Sequence, residues 1–332
     1  MPDNFGYINA RLRAMHGQLL SGKLDEALAA GSYQEFLRVL SESGMSADLG
    51  DATAAGAGLP ALDRAVSRNF YNTAQKITGM ADGDAGRDIG LLFARYDLTN
   101  LKAVARGKLA NRPVADIEGS LLPAGTLKPG VLAQLAAAND LTALNGVAGL
   151  SGSPLAGVFR KAVVQLAADS DLLAFEVALD QAYYSEGLAQ ASSDTLRNYL
   201  RREVDGANIL TALKLKAQSR TLETERYFLK GGREVDSNRF NQITSGTGGL
   251  DGLKAFSSLS DTTDLGSAEA AVRAVILKNA KSLYASDALG IGVTIGFLKE
   301  KENEVALTSL IARGKYYNVP AETLRKEVGR GA

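Results

Sequence analysis

One eight-residue pattern organises this chain: Arg106-Gly107-Lys108-Leu109-Ala110-Asn111-Arg112-Pro113. It returns 207 residues later as Arg313-Gly314-Lys315-Tyr316-Tyr317-Asn318-Val319-Pro320, and both copies read R-G-K-x-x-N-x-P. Five fixed positions in one register are not expected by chance within one chain. Self-similarity at a long, constant offset indicates that a structural module has been duplicated.

A shorter echo lies between the two copies. Asp97 and Asn100, just before the first copy, are matched 108 residues later by Asp205 and Asn208. The segment 121–125 is likewise matched by the segment 228–232, at an offset of 107. Two steps of about this size come close to the 207-residue offset between the two copies of the pattern. The sequence therefore predicts three diverged repeats, placed at residues 1–118, 119–225 and 226–332.

Each repeat is predicted to contain one long helix, at residues 91–109, 195–217 and 287–317. Apolar residues recur at steps of three and four in these segments, which is the spacing of an amphipathic helix. Strict alternation of apolar and polar residues over a strand length is essentially absent, so the predicted fold class is all-α. Each long helix ends in cations, which suit the negative end of the helix dipole: Arg106, Lys108, Lys214, Lys216, Arg313 and Lys315.

Three local signals predict where helices begin. Ser32 followed by Glu35 has the form of a capping box, in which each side chain satisfies a free backbone amide. Pro60 suits the first turn of a helix, where its missing amide hydrogen is not needed. Asp194 is expected to cap the long helix of the second repeat.

Composition excludes several classes of protein. Lys plus Arg and Asp plus Glu both number 37, and this balance gives no support for a nucleic-acid partner. There is no Cys, hence no disulfide framework and no thiolate metal site. The first residues lack the basic and apolar regions of a signal peptide. The longest apolar run, 288–298, is shorter than the ~20 residues of a membrane-spanning helix, so no transmembrane segment is expected.

Two stretches resemble cofactor-binding motifs only in part, and one histidine is a candidate for catalysis or metal binding. The stretch 17–23 approaches a phosphate-binding loop, but Leu24 replaces the Ser or Thr that would ligate magnesium, which favours a helix end followed by a turn. His16 is the only histidine, and we favour a surface or half-buried residue of the first helix over a catalytic or metal-binding one. In the stretch 290–296 the third glycine stands one place late for a dinucleotide fingerprint, which favours close approach of another helix. No catalytic residue, cofactor or metal is predicted.

The repeated polar and cationic residues have two interpretations each. Asp97 with Asn100, and Asp205 with Asn208, share a helix face at i, i+3. Metal binding would need further ligands, so we favour buried or interfacial pairs that cap a neighbouring helix, because an unpaired buried polar group costs ~1–3 kcal/mol. The cations at the ends of the first and third long helices are either ordinary helix-end charges or partner contacts: Arg106, Lys108, Arg313 and Lys315.

Five segments in this order resemble the C subunit of the prokaryotic V-type (A-type) ATP synthase, whose eukaryotic counterpart is the d subunit of the vacuolar proton pump. The resemblance covers essentially the whole chain, and the ordered set is specific although each piece alone is weak. In this family Asn is more common at the position of Leu307, so the third repeat lacks the polar pair of the other two. The segments are 7–13, 95–101, 203–209, 228–233 and 299–304.

This resemblance implies a funnel of three similar helical units about a pseudo-threefold axis. It also implies a non-catalytic rotor part on the cytoplasmic face of the plasma membrane. Such a part would join the central-shaft subunits of the soluble ATPase head to the membrane proteolipid ring, and so link ATP synthesis or hydrolysis to proton transport. A helical scaffold or adaptor protein unrelated to rotary ATPases is the alternative that the residues leave open.

Overall fold

The computed structural model describes residues 4–54, 58–220, 223–262 and 264–331. All regular structure in these ranges is helical, with short 3₁₀ turns between α-helices, which confirms the predicted all-α class. The α-helices, in chain order, are α1 Phe5–His16, α2 Leu24–Ala29, α3 Tyr33–Ser41, α4 Leu59–Met80, α5 Gly83–Leu109, α6 Val114–Gly119, α7 Pro129–Ala137, α8 Ala156–Asp169, α9 Leu172–Gln190, α10 Asp194–Ala217, α11 Ser237–Ser245, α12 Leu265–Ser286, α13 Gly292–Tyr316 and α14 Ala321–Gly331.

The chain divides into two compact units. One consists of Met1–Gly86 together with Ala280–Ala332, and the other of Arg87–Asn279. The boundaries fall within the residue ranges of α5 and α12. The first unit thus contains both the N-terminal and the C-terminal segment of the chain. The division into three repeats rests on the sequence and stays a prediction.

The core of the first unit brings together residues from distant parts of the sequence. Phe36 and Leu40 on α3, Leu62 on α4 and Ile311 on α13 belong to one buried cluster. Complete burial of a side chain of this size contributes about 1.5–3 kcal/mol relative to leaving it exposed. The apolar stripes of the N-terminal helices are therefore stabilised by a helix that lies more than two hundred residues later in the sequence.

Two predicted helix starts are confirmed. Ser32 Oγ accepts a hydrogen bond from the Glu35 amide at 3.2 Å, while Glu35 Oε2 accepts from the Gly31 amide at 2.6 Å. The return bond thus goes to Gly31 instead of Ser32 itself. Pro60 lies in the first turn of α4, as expected.

Three predicted helix starts were wrong. Helix α5 begins at Gly83 instead of residue 91, because Ala85 and Ile89 continue the buried stripe through its glycines. Helix α10 is capped by Ser193 instead of Asp194. The predicted helix 287–317 is a turn followed by α13, and the Asp287 carboxylate accepts a hydrogen bond from the Gly292 amide at 2.9 Å.

The repeated eight-residue pattern forms the same turn in both copies. In the first, Asn111 adopts a left-handed conformation with φ 51°, and the Arg112 amide donates to the Gly107 carbonyl at 2.9 Å. This bond closes the end of α5 in the manner of a Schellman motif, which Asn tolerates better than most residues. The second copy shows a φ of 55° at Asn318 and a 2.8 Å bond from Val319 to Gly314.

The glycine of the pattern lets the long helix contact the short helix that follows it. A Cβ atom at Gly107 would lie 2.5 Å from Ile117 Cγ1, on α6. A Cβ atom at Gly314 would lie 2.7 Å from Leu324 Cδ1, on α14. Both distances are far below van der Waals contact, so a larger residue at either position would force the Ile117 or Leu324 side chain, or the short helix that carries it, to move.

Candidate partner-binding surfaces

The arginines of the repeated pattern each form an ion pair with a neighbouring helix. Arg106 Nε lies 2.5 Å from Glu176 Oε1, on α9. Arg313 Nη2 lies 3.0 Å from Asp63 Oδ2, on α4. Both arginine side chains remain about half exposed. Because each arginine side chain is half exposed, part of it is accessible to another molecule. Exchanging the ion pair for a partner contact would cost little, since an exposed ion pair contributes only about 0–1 kcal/mol.

The second long helix has an equivalent ion pair. Lys214 on α10, at the position that matches Arg106, lies 3.2 Å from Glu269 on α12. The three ion pairs connect helices in a regular order: α5 with α9, α10 with α12, and α13 with α4. Each long helix thus meets the helix that precedes the next long helix, and the third returns to the first.

The lysines of the repeated pattern donate hydrogen bonds to backbone carbonyls of the protein itself. Lys108 Nζ donates to the Ala136 carbonyl at 2.5 Å, in the last turn of α7. Lys315 Nζ donates to the carbonyls of Leu28 at 2.7 Å and Ala30 at 2.5 Å, at the end of α2. An ammonium group stabilises helix ends in this way by meeting free carbonyls at the negative end of the dipole. Partner contact by the four cations stays a prediction, and the half-exposed arginines are better placed for it than the lysines.

The first polar pair binds the loop that follows its own long helix, instead of capping a neighbouring helix as predicted. Asp97 accepts hydrogen bonds from the amides of Thr126 at 3.1 Å and Leu127 at 3.0 Å. Asn100 bonds both polar groups of Leu122, donating to its carbonyl at 2.7 Å and accepting from its amide at 2.8 Å. Both side chains are buried. Burial raises the pKa of Asp97, and the hydrogen bonds that it accepts oppose this effect.

The second pair repeats this geometry. Asp205 accepts from the amide of Val235 at 2.9 Å and from the two amides before it, at 3.0 Å. Asn208 donates to the Leu229 carbonyl at 2.9 Å and accepts from the Leu229 amide at 2.8 Å. Amide N–H groups directed at a carboxylate oppose a cation at the same place, so the arrangement favours a structural clamp over a metal site. The assignment of both pairs to a structural repeat stays a prediction.

In the predicted third repeat a different residue takes this position, which the sequence analysis did not predict. Glu304 lies 207 residues after Asp97, and its Oε1 accepts from the Leu20 amide at 2.7 Å. Its other oxygen pairs with Lys301, whose ammonium also donates to Asn69 Oδ1 at 2.5 Å. Both ions are buried. The loop that the third long helix binds therefore comes from the N-terminal segment. The constant offset was the signal that could have found it.

The stretch 17–23 forms the helix end and turn that were expected. Helix α1 ends at His16, and a 3₁₀ turn occupies Leu20–Lys23. The amide of Leu20 is directed at Glu304 of the protein itself. Helical structure precedes this turn where a phosphate-binding loop would follow a strand, which argues against a nucleotide site.

Two other sequence predictions are also confirmed. His16 is half-buried; its Nε2 lies 2.5 Å from Glu300 Oε2, and its ring stacks on Tyr284 with centroids 4.7 Å apart. The glycines in 290–296 allow close helix packing, since a Cβ atom at Gly296 would lie 2.8 Å from the Ala280 carbonyl oxygen on α12.

Asp171 joins the start of α9 to the segment after α10. It accepts hydrogen bonds from the Ala174 amide at 3.0 Å, Arg220 at 2.8 Å and the Tyr227 hydroxyl at 2.7 Å. Burial alone would raise the pKa of Asp171, but these hydrogen bonds and the Arg220 charge outweigh it and lower the pKa to about 2. The unfolded carboxyl has a pKa of about 3.9.

We expect this carboxylate to make stability depend on acid. Because its pKa is lower in the folded state, its contribution is complete above pH ~4 and is lost as the pH falls towards 2. Urea unfolding followed by circular dichroism at pH 5, 4, 3 and 2 measures the loss. Asp171→Asn should flatten this part of the pH profile, whereas Asp251→Asn, on an exposed loop, should leave it unchanged. Equal profiles for all three proteins would contradict the expectation.

Exposed apolar side chains mark both ends of α13. Leu289 precedes this helix and is 79% exposed, while Tyr316, Tyr317 and Val319 lie at and just beyond its other end. The helix has 25 residues, so the two places are about 37 Å apart along it. Aromatic side chains are enriched in protein–protein contact surfaces, so the group of Tyr316 and Tyr317 is a candidate for partner contact. A single exposed leucine is common on protein surfaces and is weaker evidence for a second contact.

Comparison with known proteins identifies the family. Residues 8–327 match the family described as ATP synthase (C/AC39) subunit. The chain belongs to this family. It is 43% identical to the C subunit of the V-type ATP synthase of Deinococcus radiodurans, over 99% of this chain and 92% of that protein. Identity to the C subunit of the V-type ATP synthase of Thermus thermophilus is 37% over 99% of both chains, and to the C subunit of the A-type ATP synthase of Methanocaldococcus jannaschii 23% over 97% and 85%.

Membership in the C/AC39 family confirms the resemblance seen in the sequence. The match includes both copies of the R-G-K-x-x-N-x-P pattern and the N-terminal turn that meets Glu304. Across the described ranges of this C/AC39 protein, no cluster of three or more His, Cys, Asp or Glu residues is placed to hold a metal ion. Within the same ranges, no helix has the length and apolar character to span a bilayer.

Proposed function

We propose that this C/AC39 protein is a non-catalytic rotor subunit of the central stalk of a V/A-type ATP synthase. It couples the shaft subunits of the soluble head to the membrane proteolipid ring, at the cytoplasmic face of the plasma membrane. ATP synthesis or hydrolysis is thereby linked to proton transport. The observation that carries this proposal is α13, a continuous 25-residue helix with exposed apolar side chains at both ends, in a chain of this family.

A rotor subunit of this kind must be stiff. A coupling between two moving partners must transmit torque without unfolding. Helices packed in a dense core deform little, because close-packed interiors have low compressibility. Helix α13 packs through Ile311 and Leu307 into the core of the first unit, and its start is held close to α12 at Gly296. A force applied at one end of the helix is therefore passed on to the other.

We also propose that the three repeats close into a funnel about a pseudo-threefold axis. The three equivalent ion pairs support this arrangement, because the rule that relates them returns from the third repeat to the first. A closed set of repeats would offer a socket for the shaft and a rim for the ring. A scaffold unrelated to rotary ATPases does not fit the family match.

The decisive experiment is reconstitution of the complex in vesicles with and without this chain. Without it, we expect the head to hydrolyse ATP while ATP-driven proton uptake falls to background. Arg106→Glu with Arg313→Glu should lower proton uptake several-fold, because the half-exposed guanidinium groups are the proposed partner contacts. Further charge reversal at Lys108 and Lys315 would disturb helix ends inside the protein, so these residues are left unchanged.

A matched control separates partner contact from internal pairing. Glu176→Gln with Asp63→Asn removes the same two ion pairs but leaves both arginines in place. We expect this variant to couple normally. If both double variants lost proton uptake equally, the arginines would act through the fold and their assignment to partner contact would be wrong. Full proton uptake without the chain would overturn the proposed function itself.

A further inference from the structure

A cavity of about 390 Å³ lies within the first unit, between the end of α1, the segment 44–48, α4 and the first half of α13. Small-molecule sites usually have volumes of about 300–1,000 Å³, so this space is large enough for a small metabolite. Its lining combines charged and amide side chains with the apolar side chains of Leu19 and Phe297. The exposed residues Gln18 and Lys76 line it as well, so the cavity is open to solvent.

The Asp48 carboxylate is buried in the wall of this cavity without a cation beside it. Its oxygens accept hydrogen bonds from the side-chain amides of Asn69 at 2.8 Å and Asn72 at 2.7 Å. Among the described residues Asp48 forms no ion pair, so two of its roughly four acceptor positions stay open. A buried carboxylate is stabilised better by a cationic donor than by neutral amides alone, and the cavity therefore favours a ligand that carries one.

The Lys301 ammonium group lies on the other side of the same Asn69 amide. Its Nζ donates to Asn69 Oδ1 at 2.5 Å and to Glu304, which leaves one of its three N–H groups without an acceptor in the described part of the chain. Since one amide group joins Asp48 to Lys301, the carboxylate and the ammonium are no more than about 8 Å apart. The cavity thus offers an acceptor for a cation and, a short distance away, a donor for an anion.

The fold does not require polar groups at this helix contact. Where α13 meets α4, Lys301 stands twelve residues before the arginine of the ion pair and Asn69 six residues after its aspartate. The same steps from the ion pair between α5 and α9 lead to Ala94 and Ala182. Because burial of polar groups has an energetic cost, the polar residues at the contact of α13 with α4 indicate a role besides packing.

We propose that this cavity binds an α-amino acid with an apolar side chain. The ammonium group of the ligand donates to Asp48, and its carboxylate accepts from Lys301 and from the exposed Lys76. In an α-amino acid both groups are attached to the same carbon atom, and with a hydrogen bond at each end they match the spacing of the two protein groups. The ligand side chain packs against Leu19 and Phe297.

A zwitterion fits this lining better than a simple cation. A lone amine or metal ion would occupy Asp48 but would leave the lysine donors unused, and it would meet the nearby ammonium group without a compensating anion. The lining has one carboxylate, Asp48, and two lysines, so a ligand with both charges satisfies each end. This inference goes beyond the proposed coupling role and does not depend on it.

Calorimetric titration of the purified full chain tests the proposal with matched probes. Leucine carries both charged groups, 3-methylbutylamine lacks its carboxylate, and 4-methylpentanoate lacks its ammonium group. We expect leucine to bind with a Kd below about 1 mM and each of the other two about tenfold more weakly or worse. Equal binding of leucine and 3-methylbutylamine would overturn the proposal, since the cavity would then select an ammonium group alone, as on a lysine of a partner protein. Absence of binding by leucine, methionine and phenylalanine alike at roughly 10 mM would also overturn it.

Two substitutions test whether the ligand lies in this cavity. Asp48→Asn removes the charge that holds the ammonium group, and we expect it to weaken leucine binding about tenfold or more. Lys76→Gln removes an exposed cation of the lining and should weaken binding about threefold. Asp25→Asn, an exposed acid on α2 of the same unit, is the matched control and should bind leucine normally.

Thermal melting without ligand shows whether each variant folds. If Asp48→Asn does not fold, Lys76→Gln decides the question, because an exposed side chain can be replaced without disturbing the core. Unchanged leucine binding by the folded variants would refute this site. Loss of proton uptake in the complex without the chain would still support the proposed function, so the two proposals fail separately.

Discussion

Glu304→Gln lowers the free energy of unfolding by about 3–5 kcal/mol, the cost of leaving one member of a buried ion pair without its partner. Gln can still accept the hydrogen bond of the Leu20 amide, so the loss reports chiefly on Lys301, which would keep its charge in a buried site. Chemical denaturation followed by circular dichroism measures the change. Glu322→Gln, an exposed acid of the same unit, should change the free energy by less than about 0.5 kcal/mol.

A second substitution tests whether charge is the cause. Lys301→Met in the Glu304→Gln background removes the uncompensated ammonium group, and we expect it to restore part of the lost stability. Asn69 would lose its donor from Lys301, so the recovery should be incomplete. If the double variant were less stable than Glu304→Gln alone, the buried charge would not be the source of the effect.

Asp205→Ala is the other substitution for which a large loss is expected, about 2–4 kcal/mol. Three successive backbone amides, those of residues 233–235, would lose their acceptor at once. A buried polar group without a partner costs about 1–3 kcal/mol. Only the Val235 amide is fully buried, so the expected loss is well below three times that cost. Hydrogen exchange should show faster exchange at these three amides.

Comparison with Asp205→Asn refines this test. The amide side chain retains one acceptor oxygen, so we expect about half of the loss. Asp116→Asn, in the same unit and about half exposed, is the neutral control. If Asp205→Ala unfolded at the same denaturant concentration as the control, the loop 228–235 would be held by Asn208 and packing alone.

The sequence predicted the features that depend on local patterns. The fold class followed from apolar spacing. The pattern R-G-K-x-x-N-x-P marked a real helix end because its Asn adopts a left-handed conformation and its Gly allows close approach of the next short helix. Helix starts were predicted less accurately, because Ser193 and Asp194 are adjacent and both residue types can cap a helix.

Other features depend on contacts that no local pattern shows. Glu304 was missed because its partner, Leu20, comes from the other end of the sequence and because the residue is one methylene longer than Asp97. The turn 287–291 is bound by Asn9, nearly three hundred residues away, which donates hydrogen bonds to the carbonyls of Ala288 and Gly290. The two half-exposed arginines were found by their repetition, but their ion pairs could be seen only in three dimensions.

Because one compact unit combines the first 86 residues with those from Ala280 onward, the order of synthesis constrains how the protein matures. On the ribosome, Phe36 and Leu62 emerge early but meet Ile311 only after the intervening unit has been translated. At about 5–20 residues per second, the synthesis of the chain from Leu62 to Ile311 takes roughly 12–50 s. During this interval the nascent N-terminal helices expose apolar surface, so this is when the chain most needs protection by chaperones.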